Sequence, residues 1–184
     1  MQNKKHLREK FKAKLRSLKS SERRKLSRKI GRKLFRLEAF KNAARVFFYV
    51  SLGSEVDTAS MIDKALKMGK RVFVPLTHLE NKEIKFYEIK NRLRDLRPGT
   101  FGIPEPRALR SRRGYQYATD CVVVPGVVFD RKNHRIGHGS GFYDRFLKNV
   151  SPRTFKVCLA YAFQVVSKIP SRAHDKKLDR VLTD

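Results

Sequence analysis

Residues 135–145 read Arg-Ile-Gly-His-Gly-Ser-Gly-Phe-Tyr-Asp-Arg, with glycine at every second position from Gly137 to Gly141. Glycine has no Cβ, so this backbone can turn tightly and present bare N–H groups to a ligand. The apolar run 121–130 before it predicts a buried strand, and residues 142–148 after it predict the opening turns of a helix. A helix N-terminus favours anions through its free N–H groups and its dipole. Strand, loop and helix together predict a phosphate site at the rim of a sheet.

The charged residues at the ends of this loop favour a ligand site over a flexible turn, two interpretations that the glycine spacing alone leaves equally open. The spacing matches neither the dinucleotide fingerprint nor a Walker loop. Arg135 enters the loop, and arginine can grip phosphate oxygens. Asp144 leaves it on the first helical turn. An aspartate there would repel phosphate unless a divalent cation lay between them, so the pair indicates phosphate together with a metal ion.

Length and composition indicate one compact domain over residues 1–184, since 40% of the residues are hydrophobic. No apolar run approaches the roughly 20 residues that span a bilayer. The lysine-rich N-terminus lacks the apolar segment of a signal peptide, so we expect a cytoplasmic protein with no membrane partner. We expect a monomer. Cys121 and Cys158 lie in apolar runs and are interpreted as reduced core residues.

The formal charge of +27 predicts attraction to polyanions, including RNA, DNA and phosphorylated or polycarboxylate substrates. Composition alone does not choose among them. The basic residues are spread through helices and loops, without a zinc knuckle, an RNA-recognition aromatic signature or a long basic tail. Weak nonspecific polyanion binding is therefore expected, and a dedicated nucleic-acid binder remains the less favoured class.

Buried strands alternate with amphipathic helices along the chain, which predicts a single α/β domain with a mainly parallel sheet covered by helices on both faces. Ligands bind such sheets beyond the carboxyl ends of the strands. Glu55, which follows the strand at 45–50, and the glycine loop should both emerge there. The predicted strands are 45–50, 70–75, 84–87, 121–130 and 155–161, and the predicted helices are 4–18, 20–38, 59–68 and 142–148.

The sequence Pro125-Gly-Val-Val-Phe-Asp130, followed by the glycine loop, resembles the signature of the 5-formyltetrahydrofolate cyclo-ligase family, also called methenyltetrahydrofolate synthetases. Ile136, Ser140 and Phe142 replace the residues usual in that signature, and Phe142 loses a tyrosine hydroxyl. Further similar segments are Lys4-Lys-His-Leu-Arg8, Glu55-Val-Asp-Thr58, Gly102-Ile-Pro-Glu-Pro106 and His174-Asp175. The resemblance implies a three-layer fold related to ribose-phosphate isomerases and CoA transferases.

The same resemblance implies roles for individual residues. It assigns Glu55 to folate binding and Val50 to an apolar wall beside it, and it assigns Asp144 and Asp175 to Mg²⁺. Arg135 and Tyr143 are the expected catalytic residues. The nucleotide set is Lys4, Arg8, Arg135, Ile136, Gly137, His138, Gly139, Ser140, Gly141, Phe142 and Tyr143, and residues 138–142 (His138 to Phe142) are shared with the folate.

The implied activity is the ATP-dependent conversion of 5-formyltetrahydrofolate, free or polyglutamylated, to 5,10-methenyltetrahydrofolate through an N5-iminium phosphate. ADP and phosphate are the expected products. One alternative is a basic RNA-binding protein that keeps the fold without turnover. A second, a sugar-phosphate isomerase on the same architecture, does not account for the two aspartates at 144 and 175.

Overall fold

The computed structural model describes residues 3–107, 119–170 and 176–184. Six α-helices and eleven strands alternate along these residues. The helices are α1 (Lys4–Ser17), α2 (Ser20–Arg36), α3 (Glu38–Lys41), α4 (Ala59–Lys67), α5 (Arg92–Asp95) and α6 (Phe142–Asn149). The strands are β1 (Arg45–Phe47), β2 (Arg71–His78), β3 (Glu83–Ile89), β4 (Leu96–Pro98), β5 (Pro104–Pro106), β6 (Cys121–Val124), β7 (Val128–Asp130), β8 (Arg135–Ile136), β9 (Phe155–Leu159), β10 (Val165–Val166) and β11 (Arg180–Leu182).

The central sheet has six strands in the order β11-β9-β6-β1-β2-β3. All neighbours are parallel except β2 and β3, which form an antiparallel pair. The unit β1–α4–β2 is the predicted parallel crossover. Gly69 lies just past the end of α4 with a φ of +76°, a backbone conformation that glycine adopts without the Cβ clash. Because the strands are parallel, their carboxyl ends meet at one edge, where the site is built.

Two apolar clusters lie on opposite faces of this sheet, so the predicted three-layer α/β arrangement is confirmed. Alternate residues of each strand point to each face, as the two-residue period of a strand requires. In β1, Val46 packs with the helices α1 to α4, while Phe47 packs with Phe146 of α6. Phe47 stacks on Phe86 of β3 at 4.4 Å between ring centroids. The helical stripe predicted for α1 is confirmed, since Leu7, Phe11 and Leu15 are buried.

Three predicted strands were too long. The predicted strand 45–50 ends at Phe47, and the predicted strand 155–161 ends at Leu159. The apolar run 121–130 forms two strands in different sheets, because Pro125 and Gly126 interrupt it after β6. Proline cannot donate a hydrogen bond to a neighbouring strand. A Cβ on Gly126 would lie only 2.5 Å from the Phe129 ring, so a side chain does not fit there. The second part, β7, joins β8 and β10 in a small sheet. This break turns the chain toward the glycine loop.

No helix within the described residues is long and apolar enough to cross a membrane.

Candidate active site

A cavity of about 560 Å³ opens beside the carboxyl ends of β1 and β6. Its size falls within the range of small-molecule sites. The N-terminal helix α1 forms one wall, the loop after β1 forms a second, and the glycine loop with the start of α6 forms a third. The lining therefore combines segments far apart in sequence. The predicted site residues that line it are Arg8, Val50, Glu55, Arg135, Gly137, His138, Gly139, Ser140, Gly141, Phe142, Tyr143 and Asp144.

The glycine loop has the backbone that the spacing predicts. Gly139 and Gly141 have φ values of +116° and +72°, in the region that residues with a Cβ rarely occupy. Gly141 is the N-cap of α6, and a glycine has no side chain with which to cap a helix. The first-turn N–H groups of α6 are therefore left for an anion.

Two arginines converge on the loop from different elements. The Arg8 Nε of α1 donates to the Gly137 carbonyl at 2.8 Å, a contact across 129 residues of sequence. The Arg135 side chain is 4% exposed, and its guanidinium is paired with the carboxylate of Asp144. A second guanidinium nitrogen of Arg135 donates to the Pro125 carbonyl at 3.4 Å. Asp144 is 66% exposed, so one end of this ion pair is open to the cavity mouth.

Arg145 fixes the loop from outside the cavity. It donates to the Ser140 carbonyl at 3.0 Å and to the Lys82 carbonyl at 2.7 Å. Its guanidinium also lies over the Phe142 ring, 5.3 Å from the centroid. The phenylalanine that replaces the family's tyrosine therefore has a packing partner of its own.

Glu55 lines the cavity from the loop after β1. One of its carboxylate oxygens accepts from the Leu52 N–H at 2.8 Å. Burial raises the pKa of Glu55 to about 7, although the hydrogen bond from Leu52 acts in the opposite direction. The second oxygen lies 3.4 Å from His138 Nε2. Burial, followed by the charges of Lys12, Arg135 and Arg8, lowers the pKa of His138, so its ring is neutral at pH 7.

The phenol oxygen of Tyr143 is buried, and among the described residues it has no hydrogen-bond partner. Buried polar groups almost always have one, so an unsatisfied hydroxyl on a cavity wall indicates a place for a ligand atom. Burial raises its pKa far above 10, with a further contribution from the Glu55 charge and an opposing one from Arg135. The hydroxyl therefore stays protonated and can donate a hydrogen bond. It lies close enough to Glu55 and to Arg135 for both charges to affect its pKa.

Three predicted site residues stand apart from this arrangement. Lys4 is half-buried one helical turn before Arg8 and does not line the cavity. Ile136 is 2% exposed and packs in the core, and its carbonyl accepts from the Val127 N–H at 2.8 Å. Asp175 lies outside the described residues. Its predicted pairing with Asp144 at a metal ion therefore stays a prediction.

Several lining residues were missed by the sequence analysis. Lys12 and Arg16 extend from Arg8 at four-residue steps along α1, a spacing that could have revealed them. Phe101 is 64% exposed over the cavity and has a φ of +58°. Glu105, to which no role was assigned, anchors the loop of Phe101, because its carboxylate accepts from the backbone N–H groups of Thr77 and Thr100.

The residues present fit a bound Mg²⁺ at Asp144. In the parts of the chain that the structure describes, no three His, Cys, Asp or Glu side chains converge as a metal-ligand set. Mg²⁺ does not need such a set, because it is commonly bound through one or two carboxylates together with substrate phosphates and water. Asp144 lies on the first turn of α6, beside the N–H groups suited to phosphate. One exposed carboxylate in that place is the expected donor.

A glycine loop at a helix N-terminus, two converging arginines and a buried carboxylate in one cavity are typical of an α/β enzyme with an anionic substrate. The comparisons with known proteins specify the class further. The family model described as the 5-formyltetrahydrofolate cyclo-ligase family matches residues 1–184. The chain belongs to this family.

Individual relatives agree with the family model. The chain is 32% identical to a probable 5-formyltetrahydrofolate cyclo-ligase of Schizosaccharomyces pombe, over 84% of this chain and 81% of the relative. It is 34% identical to the 5-formyltetrahydrofolate cyclo-ligase of Saccharomyces cerevisiae, over 79% and 78%. The NMR structure of Aquifex aeolicus 5,10-methenyltetrahydrofolate synthetase superposes with a TM-score of 0.84 at 37% identity, covering 98% of this chain and 89% of that one. A Mycoplasma pneumoniae structure, at 23% identity and a TM-score of 0.78, shares the fold.

The chain is thus a ligase of one-carbon metabolism, and the reaction of its family converts 5-formyltetrahydrofolate to 5,10-methenyltetrahydrofolate with ATP.

Proposed function

We propose that the 560 Å³ cavity binds ATP and 5-formyltetrahydrofolate together and transfers the γ-phosphoryl group to the formyl oxygen. The observation that supports this most is the placement of Tyr143. Its unsatisfied hydroxyl lines the cavity within range of both the Glu55 and the Arg135 charges. The two substrates would therefore meet at this hydroxyl. We also propose that the chain acts as a monomer.

On the nucleotide side, Arg8, Arg135 and the N–H groups of the glycine loop hold the phosphates. Phosphoryl transfer depends on positioning and on neutralising charge, and it needs no protein nucleophile. Arg135 suits the role because a planar guanidinium can donate to two phosphate oxygens at once. Lys4 lies one turn further out on α1 and would reach the nucleotide only at its edge.

On the folate side, Glu55 accepts hydrogen bonds from the amino and ring N–H groups of the pterin, while Val50 forms an apolar wall. The tail of the substrate would then extend along α1. Lys12 and Arg16 line the cavity there and carry the positive charge that the carboxylates of a polyglutamate tail require. We therefore propose that polyglutamylated forms bind more tightly than the monoglutamate.

The chemical difficulty lies in the formyl group, because an amide-like oxygen does not leave as hydroxide. Transfer of the γ-phosphoryl group forms a bond from that oxygen to phosphorus and releases ADP. The resulting N5-iminium phosphate is attacked by N10, which loses its proton, and the former formyl oxygen departs within inorganic phosphate. Tyr143 donates a hydrogen bond near this oxygen and so orients it toward the phosphorus atom.

Asp144 would hold Mg²⁺ together with phosphate oxygens, and Asp175 is the proposed second carboxylate. A bound Mg²⁺ supplies positive charge that offsets the charge of the transferred group. In the structure, Asp144 is paired with Arg135. Arg135 would then exchange this carboxylate for phosphate oxygens when the nucleotide arrives.

The proposal is tested by measuring ADP with and without 5-formyltetrahydrofolate. We expect ADP to form only when the folate is present, in a one-to-one ratio with methenyltetrahydrofolate. ADP release that is independent of folate, or product formation without ADP, would contradict phosphorylation of the formyl group. RNA binding without any turnover would instead support the nonenzymatic alternative.

Glu55→Gln should weaken folate binding much more than ATP binding. The wild-type kcat/KM for folate should fall about tenfold per pH unit below the Glu55 pKa of about 7 and level off above it, because protonation removes the acceptor. The variant should lose this dependence. The measurement is the KM of each substrate across pH 5.5 to 8.5. Equal losses for both substrates, or an unchanged pH profile, would reject the role of Glu55.

We propose weak, nonspecific polyanion binding at α2, away from the cavity. Eight of its 17 residues are Lys or Arg and one is acidic. Arg24, Arg28 and Arg32 are exposed along one side. Changing all three to Gln should weaken binding of a single-stranded RNA. The slope of log K against log salt concentration should fall by the equivalent of up to about three neutralised phosphates. A control with the exposed Arg94, Arg97 and Arg180 changed to Gln removes the same charge elsewhere, so equal weakening would remove the assignment to α2.

A further inference from the structure

The backbone of the Glu55 loop is held by three buried hydroxyl groups: one from α2, one from the residues directly after β1 and one from the residues directly after β9. Each hydroxyl forms a hydrogen bond with the backbone of one of residues 55, 56 and 57, so this short segment is held at every residue. The Tyr161 hydroxyl donates to the Glu55 carbonyl at 3.0 Å, the Tyr49 hydroxyl donates to the Val56 carbonyl at 2.9 Å, and the Ser27 hydroxyl accepts from the Asp57 N–H at 3.0 Å. The three side chains are 0%, 4% and 3% exposed.

Tyr161 differs from the other two because it begins a short turn, residues 161–164, that is also bonded to the phosphate side. Gln164 is 2% exposed. Its carbonyl oxygen accepts from the Tyr161 N–H at 2.7 Å, and its amide nitrogen donates to the Val127 carbonyl at 3.0 Å. Val127 in turn donates its N–H to the Ile136 carbonyl at 2.8 Å, next to Arg135.

The 161–164 turn therefore connects two walls of the cavity through hydrogen bonds at its two ends. One end leads to the backbone of Glu55, and the other leads through Val127 to the strand that carries Arg135. The turn follows β9, which lies between β11 and β6 in the parallel part of the sheet. Both ends are buried, so water competes little for these bonds and their geometry is well defined.

We infer that Tyr161 and Gln164 are positioning residues. Together they set the distance between Glu55, which binds the folate, and Arg135, which binds the phosphate. Neither touches substrate; each acts through the backbone of a residue that does. The inference rests on the proposed roles of Glu55 and Arg135. Phosphoryl transfer is sensitive to such a separation, because a displacement of about 1 Å between reacting atoms can cost about 100-fold in rate.

Tyr161→Phe removes the hydrogen bond to the Glu55 carbonyl and the 3.5 Å contact between the Tyr161 and Ser27 hydroxyls. It keeps the packing of the ring, which stacks on Phe163 at 5.7 Å. We expect the KM for 5-formyltetrahydrofolate to rise about three- to tenfold, the value of one hydrogen bond, while the KM for ATP changes less than about twofold. The pH profile of kcat/KM for folate should also shift to lower pH, because a looser loop admits water to Glu55. Tyr87→Phe, a hydroxyl deletion on β3, should change none of these values.

Gln164→Met removes the side-chain hydrogen bonds to the Tyr161 N–H and to the Val127 and Gly126 carbonyls while keeping side-chain length. We expect kcat to fall about tenfold or more with both KM values changed less than the rate, since each substrate still binds but the reacting atoms are misaligned. If this variant does not fold, Tyr161→Phe alone decides. A Tyr161→Phe enzyme with wild-type KM values and pH profile would overturn the inference, as would equal changes in both KM values.

The two hypotheses fail in different ways. Should Glu55→Gln leave folate binding intact, the proposed function of the loop is wrong whatever Tyr161 does. Should Glu55→Gln weaken folate binding while Tyr161→Phe behaves as the wild type, only the positioning role is wrong.

Discussion

Asp144→Asn should lower turnover by at least about 100-fold while leaving the fold intact. The substitution removes one carboxylate charge and changes the side-chain volume little. We propose that this charge holds Mg²⁺ against the phosphates, and removal of one group that stabilises a developing charge typically costs 100- to 1,000-fold. The Asp144 side chain is 66% exposed and little packing is lost with it, so we expect the melting temperature to change much less than the activity. Activity and thermal unfolding measured on the same preparation separate the two effects.

The chain offers a matched control in Asp63, which forms an ion pair with Arg92 at 2.9 Å outside the cavity. Asp63→Asn removes the same charge from the same kind of pair, and we expect full activity and a similar small change in the melting temperature. The Asp144→Asn loss should also depend on the metal concentration, with partial recovery at high Mg²⁺. Full activity of Asp144→Asn at low Mg²⁺ would remove the metal assignment.

Arg135→Lys should lower kcat by about 100-fold even though the charge is kept. Lysine is a compact ammonium on a flexible chain, and it cannot donate in two directions from one plane as a guanidinium does. In the structure, the Arg135 guanidinium reaches both Asp144 and the Pro125 carbonyl. The proposed mechanism needs that same fork for the phosphate oxygens. Steady-state kinetics with ATP as the varied substrate gives the loss, which should appear in kcat more than in the KM for folate.

Arg92→Lys is the control for Arg135→Lys, because Arg92 also uses two guanidinium nitrogens as donors. Both bond to the Asp63 carboxylate, at 3.0 and 2.9 Å. This variant should retain full activity. If Arg135→Lys also retains most of its kcat, the arginine supplies only charge, and the positioning of the transferred group must come from the glycine loop.

The sequence carried enough information for the layers of the fold and for much of the site. The stripe Leu7, Phe11 and Leu15 predicted α1 and its buried face, and the apolar run at 45–50 predicted a central strand. The alternate glycines predicted a loop whose backbone needs positive φ, as Gly139 and Gly141 show. Such features are local: they follow from spacing and from the conformations that a residue type permits.

Contacts between distant segments were beyond this kind of prediction. The bond from Arg8 to the Gly137 carbonyl and the bond from Tyr161 to the Glu55 carbonyl join residues 129 and 106 positions apart. Nothing in the local pattern at either end requires the other. The elevated pKa of Glu55 is of the same kind, because it depends on burial by elements that the sequence around Glu55 does not specify.

The central claim, that the formyl oxygen attacks the γ-phosphate, is tested most directly by isotope transfer. 5-Formyltetrahydrofolate labelled with ¹⁸O in the formyl group is converted with Mg-ATP, and the released phosphate is analysed by mass. We predict that one ¹⁸O atom appears in each inorganic phosphate and none in ADP. Unlabelled phosphate, with the label lost to water, would show that the formyl oxygen never bonds to phosphorus.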